Sequence, residues 1–126
     1  MMRGLTIDAG GLIAFERRKR EAVILIAAAL RDGLPIAVPG SVVAQVVRQP
    51  SRQVAVMTLL RDRRVEVVSL DRRAAVGVGV LLGQSQTTDV CDAHVVLCAR
   101  ERGQWVMTSD RRDLHRLDPS LRMIPV

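Results

Sequence analysis

Residues 89–110 read Asp89-Val90-Cys91-Asp92-Ala93-His94-Val95-Val96-Leu97-Cys98-Ala99-Arg100-Glu101-Arg102-Gly103-Gln104-Trp105-Val106-Met107-Thr108-Ser109-Asp110. Two adjoining apolar stripes, Ala93/Val96/Leu97 and Cys91/Val95/Cys98, recur at helical spacing, and Gly103 supplies a stop, so the pattern predicts a helix over 89–102. Trp105-Val106-Met107-Thr108 then reads as a short strand that delivers Asp110. The same alternation continues outward in both directions. Upstream, Val76-Gly77-Val78-Gly79-Val80 alternates like a strand, but Ala74, Ala75, Leu81 and Leu82 fit a helix capped by Asp71. Each interior glycine costs such a helix about 1 kcal/mol against alanine. Val65, Val67 and Val68 signal a strand, and 52–61 a helix striped by Val56, Leu59 and Leu60. Pro39-Gly40-Ser41 opens a helix through 47, with Ser41 as N-cap and Pro50 as stop. Ile36-Ala37-Val38 reads as an inner strand. Residues 22–30, apolar almost all round, form a buried helix closed by Asp32-Gly33. At the start, the strand Leu5-Thr6-Ile7 ends at Asp8, and Gly10-Gly11 turns the chain into a helix. Downstream, a short helix runs to Leu117, Pro119 blocks it, and 122–126 forms an edge strand. The expected architecture is α/β: a three-layer α/β/α sandwich around a short, mostly parallel sheet.

A chain of 126 residues, 48% apolar and 25% charged, has the composition of one globular domain and not of a disordered segment. The longest apolar run, 22–30, is too short to cross a bilayer, and Asp8 interrupts the first apolar stretch, so neither a membrane span nor a signal peptide is expected. Cys91 and Cys98 lack the spacing of a disulfide framework or a cysteine zinc site, and a cytoplasmic protein with reduced thiols is the expectation. Nineteen basic residues against thirteen acidic give a net charge of +6, which favours a polyanionic partner. Lys19 is the only lysine; codon usage accounts for the preference for arginine but not for the sign of the charge. Phe15 and Trp105 are the only aromatic residues, too few for a base-stacking platform, so a nucleic acid would be held mainly by its phosphates.

The scarce acids are placed informatively. Asp8 and Asp110 each follow a predicted strand, at the sheet edge where open parallel α/β sheets bind ligands. Asp89 and Asp92 lie three apart at a helix start and face the same way, and Asp110 and Asp113 repeat the arrangement. If the strands carrying Asp8 and Asp110 are neighbours, several carboxylates converge on one cleft, where they repel unless a cation lies between them. Oxygen donors without histidine or cysteine select Mg²⁺ or Mn²⁺ over zinc. Against this, Asp71, Asp89 and Asp110 occupy helix N-cap positions, and taken singly Asp71 and Asp89 read as caps. Asp8 has no evident helix to cap, and Asp92 lies inside its helix; these two resist the bland reading.

Four segments carry a family resemblance: Leu5-Thr6-Ile7-Asp8-Ala9-Gly10-Gly11-Leu12-Ile13, Val38-Pro39-Gly40-Ser41-Val42-Val43-Ala44-Gln45-Val46, Thr87-Thr88-Asp89-Val90-Cys91-Asp92-Ala93-His94-Val95-Val96, and Val106-Met107-Thr108-Ser109-Asp110. In order and spacing the chain resembles the PIN-domain ribonucleases, in particular the VapC-type toxins of toxin–antitoxin pairs. The resemblance implies a Mg²⁺-dependent endoribonuclease, with Mn²⁺ as a substitute. Asp8, Asp92 and Asp110 become its metal-binding and catalytic acids, and Asp89 and Asp113 auxiliary ones. The family usually has a glutamate where this chain has Gln45, which brings no charge to the site. The same resemblance implies an RNA substrate, a cognate antitoxin and a homodimer.

Arg17, Arg18, Arg20, Arg48 and Arg52 are candidates to hold flanking phosphates, although Arg17-Arg18-Lys19-Arg20 reads equally as a solvated turn. His94 and His115 read as satisfied structural histidines, since no nucleophile accompanies either. A phosphoacceptor receiver domain needs a lysine late in the chain, and a haloacid-dehalogenase-type phosphatase needs Asp-x-Asp after the first strand; the chain has neither. The remaining alternative is a catalytically weak PIN domain that binds RNA or an antitoxin, a reading kept open by Gln45.

Overall fold

The computed structural model describes residues 2–126. Five strands, β1 (Leu5–Ile7), β2 (Ile36–Pro39), β3 (Val65–Val68), β4 (Trp105–Thr108) and β5 (Met123–Pro125), form one parallel sheet in the order β3-β2-β1-β4-β5. Between them run α1 (Ala9–Glu16), α2 (Arg20–Arg31), α3 (Gly40–Val46), α4 (Val54–Arg61), α5 (Arg72–Ser85), α6 (Val90–Arg102) and α7 (Arg111–Leu117). The helices cover both faces of the sheet, giving the three-layer α/β/α, PIN-like sandwich. Strands covered on both faces must be apolar throughout rather than alternating, and every residue of β1 and β2 is buried. The core gathers Leu5, Ile7, Ile36, Val38, Val106 and Met107 from the strands and Leu12, Val95, Val96 and Leu114 from the helices.

Most element boundaries follow the sequence pattern. Gly103 ends α6 at φ +62°, a backbone conformation that glycine adopts without a steric penalty. Asp71 caps α5 by accepting the Ala74 N–H at 2.9 Å, and α5 is helical throughout because Val78 and Leu81 are buried and Gly77 fits against Leu97. Three local expectations are corrected. Gly10-Gly11 is not a turn but the first turns of α1, which starts directly after β1. A Cβ on Gly11 would collide with the Met107 carbonyl oxygen and one on Gly10 with the Ser109 side chain, so these glycines let α1 lie against the end of β4. Ser41 does not cap α3; that helix starts at Gly40 with no side-chain cap. The helix expected from 52 starts at Val54, because Pro50–Arg52 forms a 3-10 turn.

Chain order runs β1-β2-β3 toward one edge of the sheet and returns through β4 and β5 on the other side of β1. The reversal falls between β1 and β4, where Ile7 pairs with Met107. In open α/β sheets such a switch point splays the connections apart and leaves a crevice at the strands' carboxyl ends.

Candidate functional site

Asp8 and Asp110 flank that crevice. The Asp8 N–H donates to the Met107 carbonyl at 3.2 Å, and the side chain is only 5% exposed. Its Oδ1 accepts the Gly11 N–H at 2.7 Å, so Asp8 caps α1. The expectation that it had no helix to cap is thereby corrected. Thr108, fully buried, accepts the Asp110 N–H at 2.9 Å, and its side chain favours the ionised form of Asp8. Asp110 in turn caps α7 through the Arg112 N–H at 3.1 Å, and Asp89 caps α6 through the Asp92 N–H at 2.9 Å. Each of these three acids commits Oδ1 to a helix start. Asp92 differs: it lies inside the first turn of α6, and among the described residues its carboxylate has no hydrogen-bond partner.

The electrostatics show these acids acting on one another. Burial, with the charge of Asp110 adding to it, raises the Asp8 carboxyl to about 6, although the Thr108 side chain and the Gly11 N–H favour its ionised form. Burial raises Asp92 to about 7, and the charges of Asp89, Asp8, Asp113 and Asp110 push in the same direction. Asp89, Asp92 and Asp113 line a cleft of about 300 Å³ together with Thr87, Thr88 and Arg116. Sequence reasoning missed Arg116, a cation inside the acidic cleft; its place one helical turn after Asp113 was the available signal. It also gave Thr108 no role of its own, although a lone hydroxyl closing an apolar strand needs a buried partner.

Gln45 is exposed on α3, with its Oε1 3.6 Å from the Cys91 thiol, which also donates to the Ser41 carbonyl at 3.3 Å. It therefore stands beside the start of α6 without lining the cleft of Asp89, Asp92 and Asp113. Arg17, Arg18, Arg20 and Arg52 are exposed, whereas Arg48 donates to the Ala44 and Val47 carbonyls at 2.8 and 2.9 Å and closes α3. His94 is fully buried with Nδ1 2.7 Å from the Ser41 hydroxyl, but its Nε2 has no partner among the described residues. The expected satisfied histidine is thus only half satisfied. His115 is exposed on α7.

The donor set suits a hard divalent cation in chemistry: carboxylate oxygens, mutually repelling, in a concave site. Spacing is less complete. Among the described residues no three His, Cys, Asp or Glu side chains stand close enough to hold one ion together. Asp8, Asp92 and Asp110 fit the ion by type and neighbourhood, and their side chains would have to close in to ligate it.

No family model matches the chain, and no curated protein matches it. Solved structures do. The chain is similar to a structure of VapBC2 from Rickettsia felis bound to a DNA fragment from their promoter, at 14% identity over 97% of this chain and 98% of that one, TM-score 0.69. It is similar to DNA-bound VapBC from Salmonella typhimurium, at 21% identity over 98% of each chain, TM-score 0.71. It is similar also to FitAcB from Neisseria gonorrhoeae, at 11% identity over 95% of this chain and 96% of that one, TM-score 0.61. The likeness is one of fold. The identification with VapC-type toxins is overturned by the solved structures that the chain resembles. The similar structures are two-component complexes, so a full-length match to them admits the DNA-binding component and does not single out the toxin.

Proposed function

We propose that this chain is a divalent-metal-dependent endoribonuclease that works within a toxin–antitoxin pair. The observation that carries the reading is that Asp8 and Asp110 follow the neighbouring strands β1 and β4 at the switch point, with Asp8 and Asp92 shifted toward neutrality by burial and by the charges of their acidic neighbours. The net charge of +6 and the likeness to VapBC and FitAB complexes support a nucleic-acid substrate and a protein partner.

Asp8, Asp92 and Asp110 would hold Mg²⁺ or Mn²⁺, which when bound supplies the Lewis acidity for phosphodiester hydrolysis. Asp8 is held in orientation by the bond that its Oδ1 accepts from the Gly11 N–H, which leaves its second oxygen free for the cation. Burial and the surrounding acids raise the Asp92 carboxyl to about 7, and a bound cation would favour its ionised form. Asp89 and Asp113 add negative charge to the same cleft, and Arg116 is positioned to meet a phosphate entering it. A homodimer bound to the other component of the pair is the assembly this reading expects.

A second reading, a catalytically weak module that binds RNA or its protein partner, draws on the neutral Gln45 and on the open spacing of the acids. Cleavage of structured RNA by the purified protein decides between them. Under the first reading, cleavage requires Mg²⁺ or Mn²⁺ and falls more than about 100-fold in both Asp8→Asn and Asp92→Asn. RNA that is bound but left intact with either metal would instead establish the second.

A further inference from the structure

At the edge of the sheet opposite the acids, a second cleft of about 400 Å³ is lined by Arg3, Arg100, Gln104, Trp105, Asp118 and Arg122, among others. Arg3 precedes β1, Trp105 begins β4 and Arg122 precedes β5, so this cleft lies at the strands' amino ends. No residue lines both this cleft and the cleft of Asp89, Asp92 and Asp113.

The cleft holds three guanidinium groups against one carboxylate. Two of them are braced from behind. The Arg100 Nε donates to Asp118 Oδ2 at 2.8 Å, and Asp118, itself buried, accepts the Ser120 N–H at 2.9 Å and the Ser120 hydroxyl at 2.6 Å. The Arg122 guanidinium lies over the Trp105 ring, 5.5 Å from its centroid. Arg3 has no hydrogen-bond or ion-pair partner among the described residues, and the terminal amines of Arg100 and Arg122 have none either. Held, unpartnered N–H forks in a concave site are matched to phosphate oxygens, because little side-chain entropy remains to be lost on binding. The Trp105 ring beside them, with the Arg122 guanidinium over it, offers an aromatic surface to a nucleobase.

We propose that this cleft binds a nucleoside phosphate unit, its phosphate held by Arg3, Arg100 and Arg122 and its base set against the Arg122–Trp105 stack. The site is independent of the nuclease reading. Its two sources, a free mononucleotide and one unit of a single-stranded RNA, share this chemistry.

Trp105 is the sole tryptophan, and the chain has no tyrosine, so intrinsic fluorescence reports on this cleft alone. The full chain is titrated in EDTA, which takes the acidic cleft's metal chemistry out of the measurement, with adenosine monophosphate, oligoadenylate or inorganic phosphate. The expected result is a saturable change in Trp105 emission with both nucleotide ligands. Tighter binding of oligoadenylate assigns the site to an RNA strand; equal affinity assigns it to the mononucleotide. Arg3→Gln, which leaves the tryptophan in place as reporter, weakens binding by about tenfold. Arg122→Gln does the same when binding is read by the anisotropy of labelled oligoadenylate. No saturation up to about 1 mM, affinity unchanged in both variants, or inorganic phosphate binding as tightly as the nucleotides would each overturn the proposal.

Discussion

A carboxylate that burial and like charges keep from ionising weighs against the folded state once the pH forces the charge on it. Asp8 at about 6 and Asp92 at about 7 both lie above the value of roughly 3.9 for an unfolded aspartate. Between those limits the folded chain binds more protons than the unfolded one, so the contribution of this pair to stability is greatest near pH 4 and declines as the pH rises to 7. Asp92→Asn should therefore stabilise the metal-free protein at pH 8 by about 1–2 kcal/mol, after discounting for the carboxylate's partial contact with water, and leave it nearly unchanged at pH 4. Urea unfolding at the two pH values measures this; a gap of the same size at both would refute the account. Asp8→Asn keeps an oxygen for the Gly11 N–H, whereas Asp8→Ala also loses the cap, at a cost of about 1 kcal/mol. For Gln45, replacement by glutamate sets a charge beside Cys91, one residue from Asp92. Gln45→Glu should tighten Mn²⁺ binding and lower metal-free stability, while Gln45→Ala changes metal affinity only modestly. Calorimetric titration that finds equal affinities for the wild type and Gln45→Glu would take this residue out of the site. The places of Asp8 and Asp110 past the ends of β1 and β4 were legible because each follows an apolar run. The capping role of Asp8 was not, because Ala9-Gly10-Gly11 holds two poor helix formers, and what makes them helical is the close approach of β4 from about 100 residues away. The Ser41–His94 bond was equally illegible: it joins positions 53 apart in the chain.

Among the elements, α5 was the one whose sequence pulled two ways. Val76-Gly77-Val78-Gly79-Val80 has strand period, and the helix prevails because the Asp71 cap and the burial of Val78 and Leu81 act on the same register. Its glycines are not equivalent. A Cβ on Gly77 would meet the Leu97 Cδ2 at 3.2 Å, whereas one on Gly79 or Gly83 meets nothing within 4 Å. Gly79→Ala should accordingly stabilise the protein by about 0.5–1 kcal/mol, mostly by restricting the unfolded chain. Gly77→Ala should gain less, since Leu97 must give way. Thermal melts of the two variants rank them, and a Gly79→Ala protein that melts below wild type would mean that this face of α5 is covered in solution.

For the whole molecule, the dominant long-range property is its charge. At +6, with exposed Arg17, Arg18, Arg20 and Arg52 clustered in the first half of the chain, association with RNA should weaken steeply with salt. Each phosphate neutralised on a single strand contributes a log–log slope of about −0.7. Filter binding across a salt series measures the slope, and an affinity indifferent to salt would contradict phosphate-led recognition. No described helix is long and apolar enough to cross a membrane.

The central position of β1 also sets a timetable. β1 leaves the ribosome ahead of both its neighbours and meets β2 early, but its other neighbour, β4, lies about a hundred residues later in the chain. At synthesis rates of roughly 5–20 residues per second, β1 waits about 5–20 seconds with one edge open. Until that edge closes, Asp8 and Asp110 are on unconnected parts of the nascent chain. Whatever chemistry the acids perform begins only once the chain has been made through β4 and Asp110.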